Sequence, residues 1–274
     1  RVGAVLFLGF SSGLPLALSG GTLQAWLTVE GVDIKTIGLF SLVGLPYTLK
    51  FFWSPIMDRF VVPILGRRRG WILLCQFGLI GIILGMSVSS PKNALWLLAF
   101  LALCLSFVSA SQDVAIDAYR TEVLKEPERG LGAGVSVTGY RVAMLVSGAL
   151  ALILSDYLGW ETTYMIMALL MGIGVMAVWF GPEPDDIGVP PASIREAVLD
   201  PFSEFFSRPG AWALLALIVL YKLGDAFAGS LTTTFLIPVS YTHLRAHETP
   251  EQRVCRLGGE KKNGGGGGGG GGGG

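Results

Sequence analysis

ALWLLAFLALCLSFVSASQDVAIDA, which occupies residues 94–118, contains no charged residue before Asp113. An apolar run of roughly 18 or more residues is long enough to cross a bilayer as a helix. Such a segment must be helical, because in lipid a helix satisfies its own backbone hydrogen bonds. This stretch therefore predicts a membrane protein.

Six further stretches of the same kind surround this one. The seven predicted spans are 2–27, 36–57, 71–88, 94–118, 132–154, 162–180 and 211–237. Only 15% of the 274 residues are charged, whereas soluble proteins carry about 25%. Composition and pattern together predict an all-α membrane protein.

Positive charges in the loops predict the orientation of the spans. The loops after spans one, three and five carry two, Lys35 and Lys92. The loops after spans two and four carry seven: Arg59, Arg67, Arg68, Arg69, Arg120, Lys125 and Arg129. Because basic loops stay in the cytoplasm, a multi-pass inner-membrane protein with a cytoplasmic N-terminus is predicted.

The loop after span six changes in composition. It begins with prolines and acidic residues and continues with a short amphipathic helix, predicted over 193–199 with Ser193 as its cap. Six spans, a long cytoplasmic loop and a seventh span are typical of transporters built from two halves. The predicted organisation is a six-helix half over 1–181, a central loop over 182–210, and a seventh helix over 211–237 that begins a second half.

Residues 238–274 do not continue this pattern. They resemble translated sequencing-adapter DNA and end in eleven glycines. We expect a non-native, disordered tail after a natural sequence cut beyond its seventh span, so His243, His247 and Cys255 are given no functional weight. The alternative is a natural glycine-rich linker.

Ionisable residues inside the spans are the first candidate functional residues. Each costs about 2.5–3.5 kcal/mol at membrane depth, so such residues tend to face a cavity or one another. They are Lys50, Asp113, Asp117, Arg141, Lys222 and Asp225. Since three are positive and three negative, they could equally be ion pairs that hold helices together.

The three acids are candidate proton carriers. Asp113 and Asp117 are four residues apart and share one helix face, which Ser109 and Ser106 continue. Burial and a like-charged neighbour both favour the neutral form of a carboxylic acid. Asp113, a turn deeper than Asp117, is therefore the first candidate and Asp225 the second, while a role as an ion-pair strut stays open.

Other polar residues are candidate substrate ligands. Arg141, near the middle of span five, could hold a carboxylate through two parallel hydrogen bonds, or approach Asp113 as a strut, because spans four and five are antiparallel. The further candidates are Lys222, Gln24, Gln112 and Tyr140.

The loop after span two carries a candidate gate. Its pair Asp58–Arg59, followed by a glycine, Arg67 and Arg68, resembles the major facilitator signature between helices two and three. It differs from that signature in a serine at the first glycine position and in longer spacing. A carboxylate at a helix end can pair with a neighbouring helix end and hold a cytoplasmic gate closed. Lys50, too deep to reach water fully, is assigned to the same gate.

Several motifs together resemble the AmpG-type anhydromuropeptide permeases of Gram-negative bacteria. They are GFSSGLPLAL at 9–18, GTLQAW at 21–26, KTIG at 35–38, WSP at 53–55, MDR at 57–59, GRRRGW at 66–71, SASQD at 109–113, GYR at 139–141, LIVLYKLGDAF at 217–227 and SLTTTFLI at 230–237. The resemblance covers residues 1–237. It implies a major facilitator N-terminal six-helix bundle followed by the seventh transmembrane helix.

The resemblance also implies a proton-driven importer and not an enzyme. Its substrates would be N-acetylglucosaminyl-1,6-anhydro-N-acetylmuramic acid and its peptide-bearing forms, carried from periplasm to cytoplasm for peptidoglycan recycling, a flux that influences β-lactamase induction. The expected partners are this substrate, protons and the bilayer, with no cofactor or metal, in a monomer. Zero net charge argues against a nucleic-acid partner. As written, the chain is predicted to be inactive alone, because it lacks most of the second half.

Two other functions remain open. A major facilitator carrier of another solute, such as acetyl-coenzyme A or a peptide, would share the fold. A membrane-embedded acyltransferase could use Asp113 and Asp117 as a carboxylate pair, but the spans contain no histidine and no nucleophile–base arrangement.

Overall fold

The computed structural model describes residues 1–60, 62, 66–184 and 193–224. Every regular element among these residues is helical, so the predicted all-α class is confirmed. The chain divides into two compact units, Arg1–Pro201 and Phe202–Gly274. The cavities and clusters described below lie in the first unit.

The first predicted span is a helix with one break. It consists of α1 (Val2–Ser19) and α2 (Gly21–Val29), separated by Gly20, whose backbone leaves the helical region. The two helices together are long and apolar enough to cross a membrane. The prediction over 2–27 is confirmed.

The second predicted span, 36–57, is not a single helix. It is divided into α3 (Ile34–Phe40), α4 (Leu45–Leu49) and α5 (Ser54–Arg59), joined by 3₁₀ turns. Pro46 and Pro55 begin the second and third pieces, and a proline removes a backbone donor and clashes with the preceding turn. No piece alone reaches the length of a bilayer span.

The third and fourth spans are α6 (Arg67–Ser87) and α7 (Pro91–Val123), and each qualifies as a membrane span. α7 is kinked near its start, at Ala94, where the backbone leaves the helical region. α7 extends beyond the predicted end at residue 118. Asp113 and Asp117 therefore both lie well inside a helix rather than close to its end.

The fifth and sixth spans share one helical path of α8 (Arg129–Leu145), a π-helical turn (Val146–Leu150) and α9 (Ala151–Phe180). The path is long enough to qualify as a membrane span. It is interrupted at Gly159, where φ is 80°. This left-handed value favours glycine, because a side chain would be strained there.

α8 runs parallel to α1. Gly9 lies against the backbone of Ser136, near the middle of both helices. Further along, the Thr22 hydroxyl donates to the Ser147 carbonyl at 2.6 Å. Residue numbers therefore rise in the same direction along both helices, which shows that the helices are parallel.

The part of α9 after Gly159 runs the opposite way. The Tyr164 hydroxyl donates to the Leu18 carbonyl at 3.1 Å, whereas Gly174, further along α9, lies against Ser11. The chain therefore turns back at Gly159. This reversal separates the two spans predicted over 132–154 and 162–180.

Beyond the bundle, α10 (Ile194–Ser207) and α11 (Ala211–Gly224) follow. α10 extends the amphipathic helix expected over 193–199, and the Ser193 hydroxyl accepts the Glu196 backbone N–H at 3.1 Å, which confirms the predicted cap. The seventh span, 211–237, is helical as far as Gly224. Asp225 and the predicted non-native tail lie outside the described residues.

α1 and α8 pack with their backbones in contact. A Cβ atom added to Gly9 or Gly13 would meet a carbonyl of α8, and one added to Gly139 would meet the Leu6 carbonyl. Small residues allow this close approach of membrane helices. The crossing brings α8 beside the part of α1 that carries Ser12.

Candidate functional site

A cavity of about 250 Å³ runs along α7 between Asp113 and Arg120. Arg120 follows Asp113 by seven residues, and a helix rises 1.5 Å per residue, so the cavity is about 10 Å long. Its polar lining comes from α1, α7, α8 and the turn after α4: Ser12, Lys50, Asp113, Asp117, Arg120, Ser136 and Tyr140. A larger groove of about 430 Å³ between α1 and α9 is lined by apolar residues and glycines, so it offers no side chain that could bind a polar solute.

Asp113 lies at the inner end of this cavity. The Ser12 hydroxyl donates to its Oδ1 at 2.5 Å. Lys50 lies close enough for its positive charge to act on the carboxylate, and Asp117 close enough to oppose it. A half-buried carboxyl group with one cation, one hydroxyl donor and one acidic neighbour can exchange a proton, because each protonation state has a partner.

Asp117 occupies different surroundings. Its side chain is 56% exposed and pairs with Arg120 at 3.1 Å. Exposed pairs of this kind contribute about 0–1 kcal/mol. Of the two acids on this helix face, Asp113 is thus the less exposed one.

Arg141 does not approach Asp113 as expected. It is exposed, and among the described residues Tyr140 lines the cavity in its place. The reason is the rotation of α8: Gly139 faces α1, and Arg141, two residues further, is turned away by about 200°. Lys50, assigned from the sequence to the gate, supplies the positive charge beside Asp113 instead.

The remaining substrate candidates are not among the residues that line the cavity. Gln24 is half-buried in α2, and Lys222 is exposed on α11, in the second unit. Gln112 is fully buried, and its amide donates to the Ser11 hydroxyl at 3.1 Å. Gln76 donates to the same hydroxyl at 3.2 Å, so these side chains form a polar contact among α1, α6 and α7.

Further hydroxyl groups lie on the other side of Asp113 from the cavity. Ser109 and Ser106 precede Asp113 on α7 and are both buried. The Tyr47 hydroxyl lies beside those of Ser109 and Ser19. Within the described part of the chain, Tyr47, Ser106 and Ser109 make no hydrogen bond of ordinary geometry through these oxygens.

The gate candidates form an ion-pair cluster where α6 begins. Arg68 binds Asp58 Oδ1 at 2.5 Å and Glu122 Oε1 at 2.8 Å, while Arg67 approaches Asp58 at 4.0 Å. The cluster joins the ends of α5 and α7 to the start of α6. The Arg68 side chain is only 11% exposed, so removing either partner would leave a poorly solvated charge.

Two neighbouring arginines make other contacts. The Arg59 guanidinium lies over the Phe60 ring, 5.9 Å from its centroid. Arg69 donates to the carbonyls of Val178 and Trp179, at 2.7 and 3.1 Å. These carbonyls belong to the last turn of α9, where helical partners are lacking and a positive charge is favourable.

α10 contributes two acids to the surroundings of this cluster. Glu196 and Asp200 line a cavity of about 340 Å³ together with Asp58, Arg67 and Arg68. The acids of α10 and the charged residues of the gate cluster therefore lie close enough to influence each other electrostatically.

Ser12, Tyr47 and Glu122 were not identified from the sequence. Glu122 was recognisable, because the three consecutive arginines at 67–69 need acidic partners at the same membrane face. Ser12 lies between Gly9 and Gly13, whose spacing marks a helix-packing face. Nothing in the sequence indicates the position of Tyr47, because it depends on the breaks in the second span.

Several known proteins are similar to this chain in sequence. The sequence pattern of the Major Facilitator Superfamily matches residues 5–249. An anhydromuropeptide permease of Escherichia coli (strain K12) is 55% identical over 238 residues, which are 86% of this chain and 48% of the relative. An uncharacterized protein of Haemophilus influenzae is 39% identical over 241 residues, 86% of this chain and 57% of the relative. The chain spans about half the length of these relatives, and the resemblance to AmpG-type permeases is confirmed.

Proposed function

The chain belongs to the Major Facilitator Superfamily, a superfamily of membrane transporters, and we propose that it is the N-terminal part of a proton-coupled importer of anhydromuropeptides. Its identity with a curated anhydromuropeptide permease supports this substrate class. The half-buried Asp113 carboxyl group, in a cavity that it shares with Lys50, is the observation that carries the coupling to protons.

The size of the cavity supports a shared substrate site. Ligand sites commonly measure about 300–1,000 Å³, and the cavity beside Asp113 measures about 250 Å³. A disaccharide with a peptide needs more space than this. The substrate would therefore lie between this bundle and a second six-helix half, as in transporters built from two repeats, and residues 1–237 alone would not transport.

Charge competition at Lys50 would couple the proton to the substrate. Anhydromuropeptides carry carboxylate groups, which an ammonium group attracts. When Asp113 is protonated, Lys50 is available to the substrate carboxylate. When Asp113 loses its proton to the cytoplasm, its negative charge competes for Lys50 and favours release of the substrate. Proton and substrate would thus be loaded together and released together.

The gate cluster supports the proposed orientation. α1 and α6 run parallel, since Ser11 contacts Gln76 and both helices run opposite to α9. The N-terminus therefore lies at the same end of the bundle as Arg67 and Arg68. Because arginines concentrate on the cytoplasmic side, we propose a cytoplasmic N-terminus in the inner membrane. The Arg68 cluster would close the pathway at that end, in a transporter that acts as a monomer.

Uptake into membrane vesicles tests the function. The complete reading frame that contains this sequence is expressed in a bacterium lacking its own permease, and labelled anhydromuropeptide is offered with and without an imposed proton gradient. Gradient-dependent accumulation is expected. Accumulation indifferent to the gradient would remove the coupling, and uptake of acetyl-coenzyme A or a free peptide in place of the labelled compound would favour another carrier.

Asp113→Asn tests the proton carrier. The amide cannot ionise, so accumulation against a gradient should be lost, while exchange of labelled for unlabelled substrate, which needs no net proton movement, should persist. Asp156→Asn is the matched control, because Asp156 is exposed on α9 outside the cavity. Loss of protein from the membrane in the Asp113 variant would indicate a strut instead.

A further inference from the structure

Asp113 separates two polar regions of the bundle. The 250 Å³ cavity contacts it from the side of Asp117 and Arg120. Ser109 and Ser106 precede it on α7, one and two turns in the opposite direction, and Tyr47 and Ser19 lie next to Ser109. We propose that the hydroxyl groups of Tyr47, Ser109 and Ser19 form the proton path between Asp113 and the membrane side opposite this cavity. This inference rests on the proposed proton-coupled function.

The burial of these hydroxyls supports the path. Ser109 is 1% and Ser19 6% exposed, and the Tyr47 oxygen is itself buried. A buried hydroxyl without a partner costs free energy, so it needs a reason to be retained. The Tyr47 hydroxyl lies against those of Ser109 and Ser19, and the Ser19 hydroxyl also donates to the Leu16 carbonyl at 3.1 Å. A row of neighbouring buried hydroxyls, each able to accept one proton and donate another, is what a proton relay requires.

Neighbouring hydroxyls show the contrast. Ser111, on another face of α7, accepts the Trp53 indole N–H at 3.0 Å and donates to the Phe107 carbonyl at 2.8 Å. The Tyr164 hydroxyl donates to a carbonyl of α1. These hydroxyls are bonded to fixed partners outside the group formed by Tyr47, Ser109 and Ser19, as structural hydroxyls usually are.

The surroundings of Asp113 direct protons along this route. The ionisable groups close to it are Lys50, Asp117, Tyr47, Tyr140 and Cys75. Lys50, Asp117 and Tyr140 line the cavity. On the opposite side, the Tyr47 hydroxyl lies next to those of Ser109 and Ser19, and Tyr47 is close enough to Asp113 for the two side chains to interact electrostatically.

Proton transfer along the path leaves each hydroxyl unchanged. A proton that arrives at the lone pair of one oxygen forms a new O–H bond as that oxygen gives its own proton to the next group. The last transfer converts the Asp113 carboxylate to the neutral acid, and the hydroxyls then rotate back. No oxidant, metal or cofactor takes part, and one proton enters for each proton delivered.

Driven uptake and exchange, measured side by side, test the path. The complete reading frame is purified and reconstituted into vesicles, where uptake driven by a proton gradient is compared with exchange of labelled for unlabelled anhydromuropeptide. Tyr47→Phe and Ser109→Ala should each lower driven uptake about tenfold or more and leave exchange close to that of the unchanged protein. The matched controls are Tyr164→Phe and Ser111→Ala, which remove engaged hydroxyls and should lower neither rate selectively.

Each other outcome overturns the inference. Undiminished driven uptake in both variants would show that protons reach Asp113 by another route. An equal loss of exchange and driven uptake would show that the hydroxyls bind substrate. If Tyr47→Phe does not fold, Ser109→Ala decides alone. If the unchanged protein neither exchanges nor accumulates anhydromuropeptide, the proposed function fails first, which the exchange measurement reveals separately.

Discussion

Substitution of Gly139 by alanine should loosen the contact between α1 and α8. Alanine gains about 1 kcal/mol over glycine in a helix interior, which alone would stabilise the protein. At Gly139, however, the new methyl group would meet the Leu6 carbonyl and come within 3.0 Å of the Phe10 nitrogen. These are backbone atoms of a helix and cannot rotate away, so the two helices must separate.

The magnitude follows from these opposing effects. Overpacking of a close contact costs about 1–3 kcal/mol, which cancels or exceeds the gain in helix propensity. Gly134 is the matched control, because it lies on the same helix and a methyl group added there would have no neighbouring atom within 4 Å. Gly134→Ala should therefore raise the free energy of unfolding by up to about 1 kcal/mol, and the two variants should differ by about 1–3 kcal/mol.

Thermal unfolding of the complete protein in detergent measures this difference. One kcal/mol corresponds to about 2–4 °C in a protein of 150–250 residues and to about half of that in a protein twice as long, so the Gly139 variant should melt about 1–6 °C below the Gly134 variant. Transport should fall as well, because Ser12 and Tyr140 line the cavity on either side of the crossing. If the Gly139 variant melts at or above the Gly134 variant, the backbones of α1 and α8 are not in contact.

Three further outcomes are expected. Arg68→Gln should destabilise the protein by about 1–3 kcal/mol and impair transport, because it leaves the half-exposed acids at the ends of α5 and α7 unpaired. Arg208→Gln, which breaks an exposed pair with Glu204, should change the melting temperature by a degree or less. Trp26→Ala should lower the free energy of unfolding, measured with a denaturant, by about 3–5 kcal/mol. Trp26 is 3% exposed, and its ring lies 5.6 Å from that of Trp160. An unchanged unfolding midpoint would contradict this packing. Tyr119→Phe should cost about 1 kcal/mol in the same assay, since the phenol donates to the Pro182 carbonyl at 2.6 Å, and equal stability of the two proteins would show that this bond contributes nothing.

Hydropathy predicted the membrane segments because it measures how much apolar surface a stretch can bury. It could not predict the breaks in the second span, since these depend on backbone geometry. Pro46 and Pro55 start new helical pieces there, and the resulting turns bring Tyr47 and Lys50 next to α7. The positions of Tyr47 and Lys50 beside Asp113 thus depend on local helix breaks, which a count of apolar residues does not detect.

The rotation of α8 explains why Arg141 lies away from Asp113. A charge in the middle of a span is expected to point inward, yet one residue along a helix changes direction by about 100°. The small residues Gly132, Ser136, Gly139 and Ala143 are all buried and mark the face that packs on α1. Their spacing was visible in the sequence and would have predicted the exposed position of Arg141.

Contacts among three helices were beyond reach of the sequence. The Ser11 hydroxyl accepts both Gln76 and Gln112, which come from α6 and α7. Each residue alone is compatible with a substrate ligand or with helix packing. Only the relative depth and rotation of all three helices distinguishes these roles.

The turn at Gly159 has a mechanical consequence. A single residue joins two helices that run in opposite directions, so the connection contains no slack. Trp160, directly after the turn, stacks on Trp26 near the end of the first span and tethers the pair there. The short connection therefore restricts independent movement of the two helices, and the indole contact holds their joined ends against the first span.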